Sequence, residues 1–332
     1  MTQASGGAGG PEAQPSGAGR ASGGAGQAEA SVRVERPGAL TTVQDAGRPG
    51  LAHLGVPRSG ALDPAARRLA NRLAGNPADA PVLETTLTGV ALRFLGAATA
   101  AVTGAVAPVR LDGEPVSRGE PVQVGAGQLL DVGRARDGVR SYVAVCGGFA
   151  VPQVLGSAST DLLSGLGPAP LTVGQLLAVG AVPGTAAAAP EPARPAPGPG
   201  SAAGGGSLGL YVPSAGPVEL PIHPGPRHDR LTPAGRATLA GAEFTVAIAS
   251  NRIALRLHGQ GVEQASRGEL PSEGIVWGAM QLLPDGNLVV FLADHPTTGG
   301  YPVIAVVDQA GGSACAQAAP GAAVRFRMIG GE

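Results

Sequence analysis

A chain of 332 residues is long enough for two separately cored domains, and its net charge of −1 balances 24 acidic residues against 23 basic ones, all arginine. The lack of lysine excludes a lysine Schiff base, a phosphate-loop lysine of the Walker type and a biotinyl-lysine on this chain. Scattered arginines, with one Trp, three Tyr and five Phe, provide neither the basic stripe nor the stacking platforms of a nucleic-acid surface.

Residues 1–30 are almost all Gly, Ala, Ser, Gln and Pro. They hold too little apolar surface to offset ordering entropy, so a disordered tail is expected. No signal-peptide core is visible, and no run approaches the roughly 20 apolar residues that span a bilayer. The expectation is a cytoplasmic protein without a membrane. From residue 31, short runs punctuated by glycine predict strands at 91–95, 121–124, 128–132 and 140–145. One helix is clear: Asp63 caps it, Pro64 opens it, Ala66, Leu69, Ala70 and Leu73 follow helical spacing, and Gly75 stops it. An Ala/Pro/Gly-rich stretch at 183–206 reads as a linker or inserted loop between a first β domain, 31–182, and a second, 207–330. There a short helix is expected from Thr232-Pro233 to Gly241, with strands at 243–249, 287–293, 302–307 and 324–328. The runs 288–292 and 303–307 are apolar throughout, so both of their faces should be buried. The fold class is therefore mostly β, with barrels or sandwiches and a few short helices.

Four segments carry polar residues that a plain core or surface does not require. The first holds Gln44, Asp45, Arg48, His53, Ser59 and Asp63 among glycines and prolines; a long loop with an Asx-turn at Asp45 is the alternative reading. Glu84, before an apolar strand, belongs to the second. The third joins Arg227, His228 and Asp229 to Ser250, Asn251 and Arg252; an arginine fork beside Ser and Asn suits a carboxylate, and a capped turn suits the pattern equally. The fourth runs from Glu273 through Gln281 to Asp294, Thr297, Thr298, Gly299, Gly300 and Tyr301. Two hydroxyls followed by two glycines allow backbone amides to approach an anionic oxygen, and Gln281 can read an amide with both donor and acceptor. Cys146, Cys315 and the five histidines show no ligand spacing, and no structural metal is expected.

Three of these stretches resemble one family: TTVQDAGRPGLAHLGVPRSGALD at 41–63, SYVAVCGGFAVPQVLGSASTDLLSGLG at 141–167 and SEGIVWGAMQLLPDGNLVVFLADHPTTGGYP at 272–302. It is the biotin-dependent carboxyltransferase group, similar to allophanate hydrolase subunit 2. The group includes the C subunit of bacterial ATP-dependent 5-oxoprolinase, an antagonist of a sporulation-kinase inhibitor, and the carboxyltransferase region of urea carboxylase. The resemblance implies two cyclophilin-like β-barrel domains. For a free-standing chain it implies a subunit that helps open the lactam of 5-oxoproline. Two partners are implied with it: the smaller, cyclophilin-like B subunit, and the α/β A subunit. ATP, with Mg alongside it, is implied at the level of the complex; biotin enters only if another protein carries it. A regulatory module that sequesters a kinase inhibitor, and a carboxyltransferase acting on urea or a similar amide, are the other readings. Toward a lactam, Thr297, Thr298, Gly299 and Gly300 are expected to meet an oxyanion, Gln281 the ring amide and Arg252 a carboxylate. Glu273 or Asp294 is expected to move protons, with Tyr301 and Asp229 near the substrate. Gln44, Asp45, Arg48, His53, Ser59, Asp63 and Glu84 form a first-domain site or partner interface. Leu62 stands where the family has Met, Ala254 where it has Gly, and Arg227 where it more commonly has Gln.

Overall fold

The computed structural model describes residues 31–180, 210–213, 216–265 and 270–329; the expected tail and linker lie outside them. Twelve strands occupy the N-terminal part: β1 Ser31–Arg36, β2 Leu40–Gln44, β3 Val82–Thr86, β4 Val90–Phe94, β5 Ala98–Val106, β6 Val109–Leu111, β7 Glu114–Val116, β8 Pro121–Val124, β9 Leu129–Val132, β10 Asp137–Val145, β11 Phe149–Ala150 and β12 Leu176–Val179. They form two sheets, in the orders β11-β12-β1-β4-β9-β6-β7 and β2-β3-β10-β5-β8. Alternation along the strands builds the layers. Val102, Val143 and Val145 turn toward Leu92 and Phe94 of the larger sheet. Ala101, Tyr142 and Ala144 turn the other way, onto helix α1, Pro64–Ala74. The five-stranded sheet is thus covered on both faces, which is why β10 is buried from Gly138 onward.

Helix α1 begins and ends as the sequence predicts. The Asp63 side chain accepts from the amide of Ala66, and Gly75 closes the helix in the left-handed region. In β5, Gly104 has φ +85°, and a Cβ there would lie 2.3 Å from the carbonyl oxygen of Arg140. Only glycine permits this bulge, which breaks the β5–β10 register between Asp137 and Ser141.

The C-terminal part is a closed barrel of β13 Val218–Pro224, β14 Phe244–Val246, β15 Ala254–Gly259, β17 Ala279–Leu282, β18 Leu288–Phe291, β20 Val303–Val307 and β21 Ala323–Met328, in the order β13-β20-β17-β18-β15-β14-β21. Two short strands, β16 Glu273–Gly274 and β19 Thr298–Gly299, pair outside it. Helices α2, Pro233–Gly241, and α3, Gly312–Gln317, pack near its ends. Strand β18 is buried on both faces as expected: Leu288 and Val290 enter the barrel core, while Val289 and Phe291 pack with Ile275 and Val303 outside it. The mostly-β expectation holds. The ring closes in the C-terminal half, whereas the N-terminal half builds its core between two sheets. Among the described residues no helix is long and apolar enough to cross a membrane.

Candidate functional site

Two polar assemblies account for most of the singled-out residues, and they differ in kind. The first is an interior seam between the N-terminal sheets and the barrel. Glu84 and Tyr142 are cross-strand partners on β3 and β10, so both point to the α1 side of the sheet. The Tyr142 hydroxyl donates to Glu84 Oε2 at 2.9 Å and accepts from the amide of Asp63 at 2.8 Å. Across the seam, the Asn251 side chain accepts from the amides of Ile253 and Ala254, fixing the turn that carries Arg252. The Arg252 guanidinium grips Asp294 with Nε and Nη2, both at 2.9 Å. It also donates through Nη1 to Glu84 and through Nη2 to the carbonyl of Gly60. Ser59 donates to Asp294 at 2.8 Å, and the amide of Leu162 donates to the same carboxylate. Arg140 lies 3.7 Å from Glu84 and donates to the carbonyl of Ala316.

Arg252 is 1% exposed and Asp294 0%. Burial works against the charge on Arg252, but Glu84 and Asp294 more than offset it and hold the guanidinium protonated above its ordinary range. Burial, with the charges of Glu84 and Asp63, keeps the Tyr142 phenol neutral well above its usual value. A second strut runs beside this one. Gln317 of α3 accepts from the amides of Val139 and Arg140 and donates to the carbonyl of Arg140, next to the Gly104 bulge, while Ser313 donates to Asp63. Leu62, 2% exposed, enters the barrel core, so its change from Met is one of packing.

The rest of the first polar segment is internal scaffolding. Asp45 accepts from the amides of Gly47 and Ala158 and from the hydroxyls of Ser157 and Ser159. Arg48 donates to the carbonyls of Ser159 and Val154, and Gln44 to that of Thr160. His53 stands apart and exposed, on a short turn at Ala52–Leu54. Arg252 and Asp294, expected beside a ligand, lie in the buried seam. Neither a ligand carboxylate nor a proton is needed to satisfy them, because each is already the other's buried partner.

The second assembly lies on the outside of the barrel and is partly open. Strands β16 and β19 pair Glu273 with Gly299 and Gly274 with Thr298, and the amide of Ile275 donates to the carbonyl of Thr297. Gln281 of β17, 4% exposed, donates through Nε2 to the carbonyl of Tyr301 at 2.9 Å. A Cβ on Gly299 would come within 2.8 Å of that nitrogen, so any side chain there would push the Gln281 amide aside. Arg227 is fastened to β20, its amide donating to the carbonyl of Val303, and its side chain pairs with Glu273. Hydrogen bonding to Arg227 is the main cause that holds the Glu273 carboxyl below its ordinary range. Thr298, Gly300 and Tyr301 are exposed, and Thr297 and Gly299 half-buried. Asp229, on the turn His228–Arg230, is exposed and touches none of the other candidate residues through a hydrogen bond.

The fold thus joins Glu273, Gln281, Thr297, Thr298, Gly299, Gly300 and Tyr301 on one surface and moves Arg252 and Asp294 to the seam. Sequence reasoning missed Arg140, Tyr142 and Gln317, which complete the seam. The signal was available in part: Arg140 heads an otherwise apolar run, and Gln317 sits in an alanine-rich stretch. A cleft of about 170 Å³ opens beside the seam, but apolar residues such as Leu40, Leu87, Ile248 and Leu292 line much of it.

Comparison with known proteins gives a consistent picture. The family model for the carboxyltransferase domain, subdomain A and B, matches residues 54–328. The C subunit of 5-oxoprolinase from Escherichia coli (strain K12) is 36% identical over 84% of this chain and 85% of its own length. Urea amidolyase from Lachancea kluyveri is 32% identical over 90% of this chain but 17% of its own. Among solved structures, TTHA0988 superposes with a TM-score of 0.74 at 36% identity, covering 90% of this chain and 56% of that one. The urea carboxylase of Kluyveromyces lactis gives 0.77 at 30% identity, covering 90% and 27%.

Proposed function

The chain belongs to the carboxyltransferase domain family, subdomain A and B, and from that premise we propose that it serves as one component of an ATP-dependent complex that hydrolyses the lactam of 5-oxoproline to glutamate. The observation that carries this reading is coverage: the match spans 85% of the Escherichia coli 5-oxoprolinase C subunit, against 17% of the urea amidolyase.

Lactam hydrolysis adds water to the ring carbonyl, breaks the C–N bond and leaves a proton on the departing nitrogen. It therefore needs an acid–base group and donors for an oxyanion. The outer barrel surface offers both. Glu273 handles the proton, Thr297, Thr298 and the Gly299-Gly300 backbone meet the developing oxyanion, and Gln281 orients the ring amide while anchoring the loop through Tyr301. The seam supplies rigidity rather than chemistry. ATP is used at the level of the complex, whose other members are a smaller cyclophilin-like protein and an α/β protein. With no lysine here, any nucleotide contact on this chain rests on arginines and backbone amides.

Co-expression with both partners tests the reading. ATP-dependent glutamate release from 5-oxoproline should appear and should vanish when this chain is left out. Gln281→Ala and Thr298→Ala should then cut turnover, and unchanged rates would remove the site from that surface. A second reading, transfer of a carboxyl group from biotin on another protein, is favoured by the likeness to urea carboxylase. Sensitivity of the reconstituted reaction to avidin would support it.

A further inference from the structure

The two assemblies meet at three consecutive residues, Asp294, His295 and Pro296. Asp294 belongs to the seam, where Arg252, Ser59 and Leu162 hold its carboxylate and its amide donates to the carbonyl of Arg252. Thr297 already belongs to the barrel surface, where its carbonyl accepts from the amide of Ile275. His295 lies between the two. It is 7% exposed, and its ring meets Phe291 edge-on, with the centroids 6.5 Å apart. Phe291 in turn packs with Ile275 on the outer face of the barrel. His295 Nδ1 lies 2.7 Å from the carbonyl oxygen of Pro296. A carbonyl oxygen only accepts, so Nδ1 carries the proton and donates it. Pro296 has no N–H with which to anchor itself. Its carbonyl shares one rigid plane with the N–H of Thr297, so holding that oxygen sets the direction in which the chain enters the two-threonine segment.

We propose that His295 is a positioning residue for the segment from Thr297 to Gly300: its Nδ1–H fixes the Pro296–Thr297 peptide plane and, with it, the aim of the hydroxyls and backbone amides that follow. The inference rests on the lactam reading of this surface and adds the residue that holds its oxyanion donors in place. Asp294 fixes the near end of the segment in the seam, the β16–β19 pair fixes the far end, and His295 fixes the turn between them. His295 acts through Pro296 and does not itself touch the lactam. Donors that await an oxyanion lose about a hundredfold in rate when they are misplaced by about 1 Å. The loss belongs to the transition state, so it falls on kcat and spares KM.

The test uses the two ring nitrogens separately. The side-chain nitrogen of Asn can stand where Nδ1 does, and that of Gln where Nε2 does, while both variants give up the ring contact with Phe291. In the reconstituted complex His295→Asn should keep kcat within about threefold of the unaltered chain, and His295→Gln should lower it about ten- to a hundredfold with KM for 5-oxoproline little changed. In the intact free chain, hydrogen exchange at the Ile275 amide, which reports on the Thr297 carbonyl, should quicken about tenfold in His295→Gln and stay slow in His295→Asn. Equal losses of kcat in the two variants, a larger loss in His295→Asn, or no loss in either overturns the inference and leaves the lactamase reading standing. A complex that is silent even with the unaltered chain, while exchange at Ile275 follows the expected pattern, overturns the lactamase reading and leaves His295 holding the segment. A silent complex with Ile275 equally protected in all three proteins removes both.

Discussion

The seam around Arg252 and the surface around Gln281 hold similar residues in different circumstances. In the seam, Asp294, Glu84 and Arg252 are sealed from water and bonded to one another, to Ser59 and to backbone groups. On the barrel surface, Glu273, Thr298 and Tyr301 remain within reach of solvent. Charge, glycine content and loop position are shared by both regions, so none of them separates a site from a scaffold. Access to water does: Arg252, Glu84 and Asp294 are sealed and paired with one another, whereas Thr298, Gly300 and Tyr301 face solvent.

The comparison is easiest to break at Arg252. Arg252→Ala strands two buried carboxylates and should cost about 3–5 kcal/mol in urea unfolding; a loss under about 1 kcal/mol would mean that the seam is not structural. Tyr142→Phe removes one donor to Glu84 and should cost about 1–3 kcal/mol. It also carries a pH signature. The folded chain keeps the Tyr142 proton above the usual tyrosine value of about 10, whereas the unfolded chain releases it there. Stability should therefore fall as pH rises past about 10, and Tyr142→Phe should flatten that fall. Tyr211, pushed up to about 12 by burial and by Asp137, adds to the slope with the same sign.

On the surface side the effects on stability should be smaller and those on function larger. Gly299→Ala places a methyl group against Gln281 Nε2 and should detach that side chain from Tyr301, costing about 1 kcal/mol or less in unfolding. The same variant should lose most of its turnover in the complex. Glu273→Gln should barely move the unfolding midpoint at neutral pH, because the pair is partly solvated. What stability it removes belongs above the ordinary glutamate range. In the unaltered chain that share is lost as pH falls through the lowered folded value, and acid titration of the two proteins should converge there.

Local signals in the sequence were reliable where the physics is local. The Asp63 cap, Pro64 and the Gly75 stop delimit α1, and the apolar run around Val289 identifies a strand buried on both faces. Strand β5 was hidden because its alanines and its glycine give it little apolar bulk and no clear alternation, although it lies within the five-stranded sheet between β10 and β8. The candidate surface was legible as a segment, since Glu273 through Tyr301 form one stretch of the sequence. The seam was not. Glu84 meets Arg252 across 168 positions and Ser59 meets Asp294 across 235, and nothing in either segment specifies its distant partner. Arg252 and Asp294 look ligand-seeking in a sequence because their partners are supplied by the tertiary fold.

The barrel closes on a parallel pairing of β13 with β21, strands that begin at Val218 and end at Met328. That ring has consequences for synthesis on the ribosome. Until residues 323–328 have emerged, β13 lacks its neighbour on one side and β14 lacks the same neighbour on the other. The nascent barrel is an open sheet with two bare edges, able to pair with a neighbouring chain. Contacts of such long sequence separation form slowly, so closure should be a late step in folding. Crowded polysomes and an early stop codon then present the same hazard, a barrel waiting for its last strand.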